Sequence, residues 1–341
     1  MSDRDNITEQ AIFLRPGVVV LAKKPLRQLQ AGEVLVQGRC SLVSNGTEKI
    51  AFQGQFSEVS HWAEWVRYPF SPGYAMIGTI VGVFDRHAHS LLGRRVAVRG
   101  HHASLQIQLL VHCILVPEEL SDVSASWFAL ARIAFLGVTG ARLRPSSSVL
   151  VVGGGPIGQM AVRWLQLLGV ERISILAAYD SQLHHARIGG AVCMVKGNTR
   201  LITPELLTNF VAIRPDTVFD CTGDASVLVW ATAAVEDNGS VILIGDPARP
   251  EHRTLDANVM LKGLTVRGVH DRNVRVDWTP AHIAQLFFTN LRKGAITIPA
   301  SMTHSYSSAE AARVYDELAT KRGLTGLAFI WHAPDIAADQ T

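Results

Sequence analysis

Apolar and polar positions divide the chain into two textures. Before residue 124 the apolar runs are short, often alternating, and parted by turn residues. Runs 11–14, 18–22 and 33–40 are separated by Arg15-Pro16-Gly17 and Gln30-Ala31-Gly32. In the third run Val34 and Val36 share one strand face, with Glu33, Leu35 and Gln37 on a more polar one. Strands are also expected over 75–83, 95–98 and 105–116, punctuated by glycines at 73, 78, 82, 93 and 100. Many short strands with glycine turns predict a β-rich, partly open barrel. Residues 51–70 carry Phe52, Phe56, Trp62, Trp65, Tyr68 and Phe70. They form either a loop packed by its own rings or, in part, an apolar wall for a bulky or planar ligand.

After residue 124 the period lengthens. A helix is expected over 124–137 with Ser124 as N-cap, then a short second helix over 138–143 before Pro145. Strands at 148–152, 172–177, 191–195, 217–220, 239–244 and 264–269 alternate with helices near 157–168, 181–188, 203–209 and 225–235. Six strands alternating with helices predict an α/β, doubly wound parallel sheet. A helix over 279–293 follows, then one over 307–321 opened by a Ser307/Glu310 box, a last strand over 327–331 and a frayed tail over 332–341.

The densest signal is Ser148-Val-Leu-Val-Val-Gly-Gly-Gly-Pro-Ile-Gly158. An apolar strand runs into Gly153, Gly155 and Gly158 at GxGxxG spacing, and a helical pattern begins at Pro156 and Ile157. Gly153 permits the tight turn, Gly155 lets backbone approach a pyrophosphate, and Gly158 lets helix pack on strand. Phosphates would sit over unpaired N–H groups at the helix N-terminus.

Composition narrows the classes. The 341 residues are 48% apolar and 18% charged, which suits two globular domains. No apolar run approaches the ~20 residues of a membrane span. The first ten residues are polar and acidic, so a cytoplasmic, non-membrane protein is expected. The net charge of +3 is scattered, which argues against nucleic acid as a partner. Cys40, Cys113, Cys193 and Cys221 form no CxxC pair, so neither a zinc lobe nor a disulfide framework is expected.

The order of parts, with Ser44-Asn-Gly-Thr-Glu48, Pro72-Gly-Tyr-Ala-Met-Ile-Gly78, Gly93-Arg-Arg-Val96, the glycine turn, Asp220-Cys-Thr-Gly223, Thr303-His304 and Leu324-Thr-Gly-Leu-Ala-Phe-Ile-Trp331, resembles the medium-chain dehydrogenase/reductase superfamily. The resemblance spans nearly the whole chain. It implies a GroES-like β domain made of 1–129 and 271–341 around a dinucleotide-binding domain of 130–270. Where zinc-dependent members carry Cys-Gly-Thr-Asp and Gly-His-Glu, this chain has Asn45-Gly-Thr-Glu48 and Gly73-Tyr74-Ala75. No metal site is therefore expected. The variants look most like a zinc-less subgroup that includes bacteriochlorophyllide-type hydroxyethyl dehydrogenases, whose pigment substrate is not carried over.

The resemblance implies NADP or NAD as cofactor. The acid that selects NAD at the end of the second Rossmann strand falls on Ala177, so NADP is slightly favoured. Ala178 follows, and Tyr179 is either a surface turn residue or stacks near the adenine. Thr222, Gly223 and Gly245 lie at strand ends expected to line the cofactor, and Thr139 is placed near the nicotinamide. With no metal, hydrogen-bond donors must stabilise alkoxide character. Tyr74 is the first candidate acid, joined by Thr47, Asn45 and His102, with His101 beside it and His270-Asp271-Arg272 able to reach substrate. Glu48 is expected to orient backbone, and His304 to be structural. The leading reading is a zinc-independent dehydrogenase acting at an alcohol/ketone centre of a biosynthetic small molecule, as a homodimer paired through the edge strand 264–269. Alternatives are a reductase of an activated double bond and a non-catalytic nicotinamide-binding scaffold.

Overall fold

The computed structural model describes residues 7–272 and 277–331. The tail expected over 332–341 lies outside them.

The N-terminal texture folds into β1 (Ile7–Arg15), β2 (Val18–Pro25), β3 (Glu33–Val43), β4 (Met76–Val83), β5 (Arg95–Val98), β6 (Leu105–Leu109) and β7 (Ile114–Leu115). β1 and β2 form an antiparallel hairpin across Arg15-Pro16-Gly17. The other five join β14 (Thr303–Ser307) and β15 (Gly326–Ile330) in a seven-stranded sheet ordered β14-β15-β3-β4-β5-β7, with β6 paired to β3. The chain thus returns to its first sheet after the Rossmann segment. Both faces of β3 are covered, Cys40 and Leu42 packing into one core cluster and Val34, Val36 and Val43 into another, and Glu33 and Leu35 are buried along with Val34 and Val36. The more polar face expected there does not face solvent, and Glu33 is accommodated by Arg27 at 2.5 Å, which holds its carboxyl down at about 2. The single strand expected over 105–116 is interrupted by a short 3-10 turn at Leu110–His112.

The second texture gives β8 (Ser148–Val152), β9 (Arg172–Ala177), β10 (Cys193–Lys196), β11 (Thr217–Asp220), β12 (Ser240–Leu243) and β13 (Thr265–Gly268). All pair in parallel, in the order β10-β9-β8-β11-β12-β13. The order reverses between β8 and β11, and a ligand crevice forms outside the strand ends at such a switch point. Eleven α-helices are described: α1 (Asn45–Gln53), α2 (His61–Trp65), α3 (Asp122–Ala125), α4 (Phe128–Gly140), α5 (Pro156–Leu167), α6 (Asp180–Ile188), α7 (Pro204–Leu207), α8 (Val227–Ala234), α9 (Asn258–Leu261), α10 (Pro280–Arg292) and α11 (Ala311–Thr320).

The region 121–140 differs in detail from its sequence reading. The N-cap is Ser121, whose side chain accepts from the Ser124 N–H. No break falls at Gly137. α4 runs on to Gly140, because a Cβ at Gly137 would lie 2.3 Å from Ile244 Cδ1 and the residue serves close helix packing. α4 is buried on nearly every face, between α5 and α10, with Trp164 donating to the Ala131 carbonyl at 2.8 Å. The Ser307/Glu310 capping box forms as expected, on a 3-10 turn at Ser308–Glu310 that leads into α11.

Candidate active site

Between the two sheets lies a cavity of about 910 Å³. One wall is the glycine turn. β8 ends at Val152, and Gly153 turns the chain at φ +102, a conformation that L side chains rarely adopt. Gly155 precedes Pro156 at the first turn of α5, and a Cβ on Gly155 would project into open space. A Cβ on Gly158 would lie 1.9 Å from the Gly153 carbonyl oxygen, so Gly158 sets how closely α5 meets the strand. Gly154, given no separate role from sequence, fits against Ala177 and Gln182, whose Cβ atoms would stand 2.7 Å from a Cβ there. Gly153, Gly155, Pro156 and Ile157 line the cavity with Thr222, Gly223 and Gly245 from the next two strand ends.

Those two strand ends are tied together by Asp220. It is fully buried, accepts from Thr222 N and Oγ1 at 2.9 and 2.7 Å, and meets Arg253 at 2.8 Å. Burial raises its carboxyl above the usual range, against these contacts. The turn and its open cradle fit a dinucleotide: unhindered backbone faces the cavity where a pyrophosphate would lie.

At the end of β9, Ala177 and Ala178 both line the cavity, Ala177 buried and Ala178 exposed. Neither carries charge. Tyr179 does not line it. Its ring packs on the backbone of Gly323, where a Cβ would come within 2.9 Å. That contact sets the Lys321-Arg322-Gly323 turn beside the end of β9. Lys321, Arg322 and Lys49 line the cavity, and burial together with Arg322 holds the Lys49 ammonium below its usual range.

The opposite wall comes from the first turn of α1. Glu48, only 2% exposed, accepts from Ser44 N (2.8 Å), His102 Nε2 (2.9 Å) and Tyr315 Oη (2.5 Å). A buried carboxylate needs such partners, and here they fix the turn carrying Ser44, Asn45 and Thr47. Glu48 therefore orients backbone, as its position implied. His102 is fully buried, its Nδ1 2.7 Å from Ser41 Oγ, and does not line the cavity. The expectation that it faces the cleft is corrected: both ring nitrogens are spent within the fold. Thr139 is likewise outside, its hydroxyl bonded back to the Phe135 carbonyl at 2.8 Å within α4.

Asn45 lines the cavity, but its amide N–H groups are committed to the Leu324 and Thr325 carbonyls at 2.9 and 3.3 Å. It is not a free donor, contrary to expectation. Its Oδ1 is buried without a partner among the described residues, which leaves an acceptor for a ligand. Tyr74 and Thr47 both line the cavity. The Tyr74 hydroxyl donates to Ser44 Oγ at 2.5 Å, and the Arg99 guanidinium lies 4.8 Å from the ring centroid. Burial pushes the Tyr74 phenol up to about 12, with Ser44, Arg99 and Thr47 pulling the other way. It is a proton donor throughout the neutral range. Ser44, missed as a site residue because the motif singled out Asn45 and Thr47 beside it, also lines the cavity and accepts the Tyr74 hydrogen bond. Its own O–H has no acceptor among the described residues.

Trp62 and Trp65 of α2 line the cavity, their rings 5.8 Å apart, whereas Phe52 and Phe70 belong to the core. Both readings of the aromatic stretch thus hold, for different rings. α2 is anchored across the cleft by Trp62 Nε1 to the Pro247 carbonyl (3.0 Å) and His61 to Asp246 (2.8 Å). His270, Asp271 and Arg272 also line the cavity; His101 and His304 do not.

The donor set does not fit zinc. An amide and a phenol, both hydrogen-bonded, stand at Asn45 and Tyr74. Among the described residues no group of three His, Cys, Asp or Glu side chains could hold a metal ion.

Comparison with known proteins agrees with the dinucleotide reading and broadens the rest. The family described as zinc-binding dehydrogenase matches residues 156–285. The chain is 22% identical over 311 residues to L-threonine 3-dehydrogenase of Francisella tularensis, covering 77% of this chain and 84% of the relative. It is 23% identical over 273 residues to that of Chromobacterium violaceum, covering 67% and 77%. In structure it resembles acetophenone reductase of Geotrichum candidum in complex with NAD (TM-score 0.78, 16% identity, 98% of this chain and 99% of the other). It also resembles a protein of Sinorhizobium meliloti assigned to the zinc-binding dehydrogenases and bound to NADP (TM-score 0.75, 18% identity, 95% and 99%). The fold, a parallel Rossmann sheet beside a mixed β sheet, is shared with these dehydrogenases. Fold, partial family match and cleft together support a nicotinamide-dependent oxidoreductase.

Proposed function

We propose that the protein is a zinc-independent, NADP-dependent oxidoreductase that interconverts an alcohol and a ketone on a small biosynthetic intermediate. The observation that carries this reading is the Tyr74–Ser44 hydroxyl pair in the cavity, with Tyr74 at the position where the resemblance implies a histidine metal ligand. When bound, the nicotinamide supplies or accepts a hydride. Gly153, Gly155 and Pro156 hold the dinucleotide phosphates, with Thr222, Gly223 and Gly245 beside them. NADP is favoured over NAD because Ala177 and Ala178 offer no acid to a ribose, while Lys321 and Arg322 stand at that strand end.

Ser44 donates its free O–H to the substrate oxygen, and Tyr74 donates to Ser44. As negative charge grows on the substrate oxygen, the proton on Ser44 moves to it and the Tyr74 proton moves to Ser44; the phenolate left beside Arg99 regains its proton from solvent as the product leaves. Thr47 supplies a second hydroxyl, and Trp62 and Trp65 shield the apolar flank. The pairing of two hydroxyls suits carbonyl chemistry, in which a proton must reach oxygen. A cytoplasmic homodimer, joined through the exposed edge strand β13, completes the proposal.

The test is a substrate panel of ketones and enones read by NADPH absorbance, run on wild type and Tyr74→Phe. Ketone reduction by wild type and its loss in the variant support the proposal. Enone reduction alone would favour a double-bond reductase, and tight NADPH binding without turnover a scaffold.

A further inference from the structure

The positive charge at the substrate end of the cavity exceeds what a dinucleotide would use. Arg132 projects from α4 into the cavity and is 6% exposed. Its Nη1 lies 2.7 Å from Asp271 Oδ1 and its Nη2 donates to the Asp271 carbonyl at 3.0 Å, but neither its Nε nor Asp271 Oδ1 completes a hydrogen bond among the described residues. A buried N–H without a partner is costly, and in a native cavity it marks a place for a ligand. Arg99, in the loop after β5, places Nη1 2.5 Å from Asp271 Oδ2 and has no other ion-pair partner among the described residues. One carboxylate is thus shared by two guanidiniums, and Arg272 adds a further cation on the same wall.

The other acids lining the cavity do not balance this charge: Asp246 is paired with His61, and Asp224 lies 3.9 Å from Arg200. The phosphate cradle is at the Gly153–Gly158 turn, a separate wall. A simple latch between domains needs one guanidinium for Asp271; here two share it, and Arg132 Nε stays unpaired among the described residues.

We propose that the substrate carries a carboxylate, recognised by Arg132 and Arg99 with Asp271 holding both guanidiniums in place. Because Arg99 also lies over the Tyr74 ring, the anion sits beside the proton-donating pair. The substrate class is therefore a hydroxy acid or keto acid, its carboxylate close to the reacting carbon. Guanidinium is suited to this task by its planar fork of donors. The inference rests on the oxidoreductase reading of the cleft.

The test is calorimetric titration of benzoate and, separately, benzamide into the NADPH complex; the aromatic probes suit the Trp62–Trp65 wall. Benzoate should bind about tenfold or more tightly than benzamide, as expected of a charge-assisted pair. Arg132→Met and Arg99→Met should each abolish most of that preference while NADPH affinity is retained. Arg99 is 40% exposed, so its variant keeps the test decisive should Arg132→Met fail to fold. Equal affinity for the two probes, or a preference that survives in the folded variants, would overturn the proposal. If wild type binds no NADPH, the oxidoreductase reading fails by that result. The benzoate comparison is then made on the free protein, with the same supporting and overturning outcomes.

Discussion

Tyr74 and Ser44 concentrate the chemistry in one 2.5 Å hydrogen bond. Tyr74→Phe and Ser44→Ala should each lower kcat by about 10²-fold or more, with NADPH affinity unchanged in a fluorescence titration. Because burial places the Tyr74 phenol at about 12, it stays protonated below that value. The kcat profile for reduction should show no loss attributable to it between pH 6 and pH 10; a basic limb near pH 8 that disappears in Tyr74→Phe would contradict the assignment. Arg322→Ala should weaken NADPH by about tenfold or more and NADH much less, since one cation on a phosphate is at stake; equal losses would remove Arg322 from cofactor choice. Tyr74 and Thr47 were legible because motif positions place them, whatever their partners. Ser44, His102, Thr139 and Tyr179 were not. Their roles depend on where each polar atom finds its partner: the cavity for Ser44, Glu48 for His102, its own helix for Thr139, and Gly323 for Tyr179.

Among the elements, the β8–α5 turn separates folding from binding. Gly155→Ala meets no atom and should leave the melting temperature of the free protein unchanged while reducing the NADPH-induced rise. Gly158→Ala meets the Gly153 carbonyl and should cost about 1–3 kcal/mol or more in stability, measured by urea unfolding. The reverse ranking would show that the two glycines have exchanged roles. α1 offers a companion case. Glu48→Gln replaces an acceptor of three hydrogen bonds with a group that cannot accept all of them, at a cost of about 1–3 kcal/mol. It should also lower kcat by releasing Ser44, which a purely structural carboxylate elsewhere would not do. Most Rossmann strands and helices were legible to within two residues, because apolar runs between turn residues define them locally. α4 was misread at Gly137, since only the approach of Ile244 explains a glycine inside that helix. The buried second face of β3 was equally hidden, as the elements packed on each side of the sheet decide it.

At the scale of the whole molecule, the order β10-β9-β8-β11-β12-β13 leaves β13 at an open edge. Beside it Met260 and Leu261 are 87% and 80% exposed. An unpaired edge with apolar neighbours invites a second copy. Light scattering should give twice the chain mass of 37.1 kDa, and Leu261→Glu should shift it toward one chain. A monomer at micromolar concentration would contradict this. The likeness to zinc-binding dehydrogenases and the absence of suitable donors at Asn45 and Tyr74 meet in one question, whether this fold runs its chemistry on hydroxyl groups. The most direct measurement is ketone-dependent NADPH oxidation by enzyme stripped with a strong chelator, assayed with and without added zinc. The account predicts full activity in the stripped enzyme and no gain from zinc. Activity lost on stripping and restored by stoichiometric zinc would contradict it.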